Sequence, residues 1–150
     1  MTGQETILGE LMTLDEFVDE RLTMPFEWGK NDCIVFCTEA IKIVTGIDHL
    51  KLERIKKWNS LLQAKKTLKK LKIKTMFDLW DARFREIKNL NKLRDGDIGV
   101  ANIGCSAGCS PDTSMIFYKD IFLAPSEKGI IRVPIEQTEY FFDIHNVRLR

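Results

Sequence analysis

The chain has 150 residues, of which 44% are hydrophobic and 30% charged, and its formal net charge is +1. That length and balance predict one ordinary soluble domain, residues 1–150, large enough to bury a real core. No apolar run approaches membrane-spanning length, and a charge so close to zero argues against a general attraction to nucleic acid.

The first residues, MTGQETILGELMT, have neither a basic start nor an apolar stretch, so no secretory signal is expected. Four cysteines without such a signal predict reduced thiols rather than a disulfide framework. Charge is unevenly spread. Residues 1–40 are acid-rich, whereas residues 51–74 carry ten lysines and arginines against Glu53 alone. One reading is an anionic partner such as a cell-wall polymer, a phosphate backbone or an acidic protein surface. The plainer one is the solvated face of a helix packed on leucines.

In chain order, Thr13-Leu14-Asp15-Glu16 is a capping-box pattern and predicts a helix over Leu14 to Leu22. Pro25 and Gly29 break the chain into a turn. Asn31 or Asp32 then suits a helix start, with the helix running from Cys33 to Thr45 and Gly46 ending it. Cys33, Cys37, Ala40, Ile41 and Val44 share one stripe of it. A third helix is expected over Lys57 to Leu71, with Leu61, Leu62, Leu68 and Leu71 inward. A fourth is expected from Thr75 to about Ile87, burying Phe77, Trp80 and Phe84. After Arg94-Asp95-Gly96-Asp97 the pattern changes to short β-type runs: Ile98–Ile103, Ser114–Tyr118, Ile121–Ala124, Ile130–Val133 and Phe141–Leu149. Lys119-Asp120 and Pro125 to Gly129 supply turns. Helices followed by an antiparallel meander define an α+β class.

Cys33 is the chemically suggestive residue. In the first turn of a helix a thiol sits near the positive end of the dipole, which lowers its pKa and raises its thiolate fraction. The segment PFEWGKNDCIVF around it resembles the F-x-W-G-x-x-D-C-x-x-F signature of the NlpC/P60 cysteine peptidase superfamily. It is matched at Phe26, Trp28, Gly29, Asp32, Cys33 and Phe36. The likeness is greatest to small members encoded among phage and prophage tail genes. Thr45-Gly46-Ile47-Asp48 fits their helix exit, and Gly96-Asp97 and the last strands continue the match more weakly.

The resemblance implies a papain-type fold, with N-terminal helices packed on a C-terminal antiparallel sheet. Active members cleave peptide bonds of bacterial cell-wall stems with Cys, His and a third polar residue. By position Cys33 is then the nucleophile, Asp32 shapes the site and meets a substrate amine, and Trp28 and Gly29 hold the approach turn; Phe26 and Trp28 either line a substrate cleft beside Cys33 or merely anchor that turn. The active relatives' His begins a strand written roughly H-V-G-I-Y; here Thr113 or Ser114 stands there, and neither acts as a base near neutral pH. Phage-type members do not keep this His consistently.

The expectation is therefore a tail-tip or hub component, located in the virion or in the host cytoplasm during assembly, with the fold kept and the chemistry lost. Its partners would be other tail proteins or peptidoglycan. The alternative is a cysteine amidase or endopeptidase acting through Cys33.

A base must come from the rest of the chain, which has two histidines. His49 lies at the far end of the Cys33 helix, roughly 20 Å away at 1.5 Å per residue. His145 in the last strand and Asp112 before the key strand are the remaining candidates, the latter only with a raised pKa. A rival use of the thiols is a zinc or iron–sulfur site, with Cys33 and Cys37 one helical turn apart and Cys105 and Cys109 in the small-residue loop GCSAGCSPD. No cofactor at all, with two incidental loop thiols, is the preferred reading.

Overall fold

The structure, a computed structural model, describes residues 12–52, 55, 57–103 and 112–148. Helix α1 (Leu14–Arg21) has both halves of its capping box. The Thr13 hydroxyl accepts the Glu16 N–H, and the Glu16 carboxylate accepts the Thr13 N–H. Helix α2 (Cys33–Thr45) begins at an Asp32 cap and stops at Gly46, which takes the left-handed conformation at φ 81°. A four-residue helix, α3 (His49–Leu52), follows.

Two helices differ from the sequence expectation. Helix α4 (Leu61–Lys70) starts four residues later than Lys57, because Ser60 caps it and the Gln63 side chain accepts the Asn59 N–H. It turns inward through Ala64, with Leu68 half-buried, whereas Leu62 is 62% and Leu71 43% exposed. Leu71 lies beyond the last helical residue and so leaves the helix track. Helix α5 (Met76–Asp81) is capped by Thr75 but ends well short of Ile87. The chain turns at Ala82 and Arg83 and enters strand β1 (Phe84–Glu86), where a distant strand supplies hydrogen-bond partners. Long-range pairing overrides the local 3.6-residue period there, although Trp80 and Phe84 are buried as expected.

Strands β2 (Ile98–Asn102), β3 (Asp112–Tyr118), β4 (Ile121–Ser126) and β5 (Gly129–Val133) form the anticipated meander. Strand β6 (Tyr140–Val147) crosses back to pair with β2 on one side and β1 on the other, giving the antiparallel order β1-β6-β2-β3-β4-β5. Lys119 and Asp120 both have positive φ, 48° and 72°, as a tight two-residue hairpin turn requires. Strand β4 continues through Pro125 to Ser126, so the following turn is shorter than expected.

The sheet is apolar on both faces, with side chains alternating at period two. Ile98, Val100, Ile116, Leu123 and Phe142 pack beneath the helices with Phe36, Ile41 and Trp80. Ala101, Met115, Phe117, Phe122 and Phe141 build a second cluster on the other face. Gly99 makes room there for the Phe122 ring, since a Cβ would lie 2.6 Å from it. Helix α2 packs on β3, β4 and β6, and α5 on β1, β2, β3 and β6. The chain is thus an α+β protein with helices on one face of a six-stranded antiparallel sheet. No helix among the described residues is long and apolar enough to cross a membrane.

Candidate functional site

The turn before α2 is tied down from three directions. Gly29 has φ 83°, and a Cβ on it would stand 1.8 Å from the Trp58 carbonyl oxygen, so only glycine fits. The Asn31 amide donates to the carbonyls of Met24 and Pro25 at 3.2 and 3.1 Å, while its oxygen accepts from the Arg21 guanidinium at 3.0 Å. Arg21 is buried, ion-paired with Glu39 of α2, and stacked over Phe17. The Phe26 N–H donates to the Ser126 carbonyl at the end of β4, and the Phe26 and Trp28 rings meet edge-on at 4.9 Å. Both rings are half-buried and hold the turn against the sheet.

Asp32 is buried and fully engaged. One carboxylate oxygen accepts the Val35 N–H at 2.9 Å as the helix cap. The other accepts the Gly29 N–H at 2.8 Å and the Trp58 indole N–H at 2.7 Å. This carboxylate therefore organises the turn, the helix start and the segment around Trp58 at once.

Cys33 is the first helical residue, as expected, but its thiol does not behave as a helix-start thiol usually does. It is 6% exposed, and burial pushes its pKa up to about 12. The Ser114 backbone N–H faces the sulfur and favours the thiolate, whereas the neighbouring Asp32 charge opposes it. Desolvation outweighs the dipole, because a thiolate loses more hydration in this core than the helix end returns. Cys37, one turn later, is likewise buried, with its thiol pushed well above the ordinary value by burial and then by Cys33 and Asp32.

Of Thr113 and Ser114, it is Ser114 that lies on the helix face of the sheet. Alternation along β3 puts Ser114 on the helix face with Ile116, and Thr113 on the other face with Met115. The Ser114 hydroxyl is committed: it accepts the Trp80 indole N–H at 2.7 Å and donates to the Met76 sulfur at 3.2 Å.

The other candidates are scattered. His145 is exposed on β6, its backbone N–H donating to the Asp143 carboxylate. His49 is buried edge-on against Phe84 at 4.9 Å. Asp112 opens β3 opposite Asn102, two residues before Ser114. Cys33 and Cys37 are free thiols, while Cys105 and Cys109 lie outside the described residues. Among the described residues no three His, Cys, Asp or Glu side chains converge as metal ligands do.

Three members of the site were not visible as such in the sequence: Trp58, Trp80 and Arg21. Each acts through a partner distant in sequence, and no local pattern marks it.

Fold and site together define an α+β protein built around a buried thiol at a helix start. The model of a family described as a domain of unknown function, DUF6950, matches residues 11–144, and the chain belongs to that family. No curated protein matches the chain, and no solved structure does.

Proposed function

We propose that this chain is an NlpC/P60-like domain of the phage-tail type that keeps a peptidase architecture without its hydrolysis. It serves as a structural component of a tail tip or hub. The likeness to that superfamily is carried by PFEWGKNDCIVF, and the tail context follows from the same likeness.

One observation carries the loss of chemistry. A cysteine nucleophile needs a thiolate and a base that takes its proton. With a pKa of about 12, roughly one Cys33 thiol in 10⁵ is ionised at pH 7. The group facing it from β3 is the Ser114 backbone N–H, which cannot accept a proton, and the Ser114 hydroxyl is held by Trp80 and Met76. What remains of the motif is a rigid joint: Gly29 for close approach, Asp32 for the cap and the Trp58 anchor, and Cys33 for packing.

The test is digestion of purified bacterial sacculi by wild type and Cys33→Ala, with soluble muropeptides measured by chromatography. The expected result is no release by either protein. Release by wild type that Cys33→Ala abolishes would make the protein the cysteine amidase or endopeptidase instead. The tail assignment is tested separately, by co-expression with phage tail-tip proteins. Stable co-purification is expected, and its absence would remove the tail role while leaving the chemistry untouched.

A further inference from the structure

We propose that the cleft between α4 and α5 is a docking groove for an acidic protein segment carrying apolar anchors. The groove has a volume of about 550 Å³. Leu68, Ile73 and Met76 form its apolar floor, and the exposed Lys65, Lys69, Lys72 and Lys74 line its rim. The inference goes beyond the proposed tail role and does not rest on it.

Local backbone geometry builds the floor. The Ile73 N–H bonds the Leu68 carbonyl, and the Lys72 N–H bonds the Lys69 carbonyl. These are the paired bonds of a Schellman exit, which brings the residue after the turn onto the last apolar residue of the helix. Ile73 and Leu68 are that pair. Glycine normally occupies the left-handed position of such an exit, yet here it is Lys72 with φ 61°. The fold thus accepts an unfavourable residue where a lysine borders the groove.

Charge selects the occupant. Residues 57–74 contain seven lysines and no carboxylate. Lys30, Lys88 and Lys119 each lie within ion-pair distance of a carboxylate, whereas among the described residues Lys65, Lys69, Lys72 and Lys74 have no such partner. A row of cations around an apolar trough matches a segment with apolar side chains on one stripe and carboxylates beside it. Nucleic acid fits less well, because the groove offers no aromatic ring for base stacking and no arginine fork for phosphate. A bilayer fits less well because Leu68, Ile73 and Met76 are half-buried against the core. The occupant would lie close to the Cys33 joint, since Met76 also accepts the Ser114 hydroxyl bond.

The test uses fluorescence anisotropy with a labelled peptide of about 14 residues, or four helical turns, with leucines at i, i+3, i+4 and i+7 among glutamates. Saturable binding is expected. Lys69→Glu combined with Lys72→Glu should weaken it by about tenfold or more, because attraction becomes repulsion at two rim positions. Lys92→Glu combined with Lys128→Glu, a matched charge change away from the groove, should leave it unchanged. Lys72→Gly is the decisive variant: it should raise the melting temperature by relieving the left-handed lysine and still weaken the peptide. An equally acidic peptide without leucines should bind at least about tenfold more weakly, as the apolar anchors supply most of the burial. Failure of the leucine peptide to bind would overturn the proposal. So would equal binding by the leucine-free peptide, or equal loss in the Lys92/Lys128 variant. Tighter binding of a single-stranded oligonucleotide or phosphatidylserine vesicles would assign the groove to a different class of partner and also overturn it.

Discussion

Replacing Asp32 by Asn should cost measurable stability, which is not how a helix cap ordinarily behaves. At an exposed cap Asn and Asp are close equivalents, and losing either to Ala costs about 0.5–2 kcal/mol. Here one carboxylate oxygen makes the cap to Val35, while the other takes two donors, from Gly29 and Trp58. An amide that keeps the cap turns its NH₂ toward both donors. One that flips keeps those bonds and loses the cap. The first arrangement leaves two buried N–H groups unmatched, at about 1–3 kcal/mol each. The flip is the cheaper state, leaving only the Val35 N–H unmatched, so Asp32→Asn should lower stability by about 1–3 kcal/mol, or roughly 2–12 °C in melting temperature for a chain of this size. Urea unfolding measures this directly, with an unchanged slope showing that the unfolded state is unaltered. A double-mutant cycle of Asp32→Ala with Trp58→Phe should show coupling of about 1–2 kcal/mol, because each substitution removes the same bond. An Asp32→Asn variant within about 0.5 kcal/mol of wild type would refute the triple role assigned to this carboxylate.

Other outcomes follow from the same geometry. Gly29→Ala should destabilise the protein by more than about 3 kcal/mol, because the new methyl overlaps the Trp58 carbonyl and φ 83° strains any other residue; urea unfolding of purified protein would detect it. Asp97 is buried and its carboxyl pushed up to about 6 by desolvation, despite accepting the Arg94 and Ile144 N–H groups. A folded pKa above the unfolded one means the folded state holds the proton more tightly. The contribution of Asp97 is thus greatest below about pH 4 and declines through pH 6, by about 3 kcal/mol in total. Stability of wild type relative to Asp97→Asn should fall over that window, and a rise, the usual carboxylate behaviour, would contradict it. Lys72→Gly should stabilise the fold by about 1 kcal/mol in thermal unfolding, since a left-handed non-glycine residue is relieved.

Elements with local punctuation were readable from the residues. The Cys33 helix is bounded by the Asp32 cap and Gly46 exit, both short-range features, and its limits fall where those residues stand. The hairpin at Lys119 and Asp120 is another such case. The Leu–Lys periodicity from Lys57 obscures the Ser60–Gln63 cap that sets the true start of helix α4. The Phe84 strand was not readable, since i and i+4 aromatics satisfy a helix locally while the deciding partner is β6, some sixty residues away. The same division holds at the site. That Cys33 starts a helix is local; that its thiol is desolvated depends on β3 and the surrounding core. The Trp58–Asp32 and Trp80–Ser114 bonds join residues 26 and 34 positions apart, which no window of sequence displays.

A protonated, inert sulfur at the helix start underlies the whole functional reading, and site-resolved alkylation tests it. Native protein is treated with iodoacetamide from pH 6 to pH 10, and modification at Cys33 is followed by peptide mass spectrometry. Cys33 should stay essentially unmodified across that range and react at the rate of an ordinary thiol only after unfolding in urea. Rapid native labelling with a midpoint below the free-cysteine value of about 8.5 would mean an activated, accessible nucleophile, and the non-catalytic assignment would be wrong.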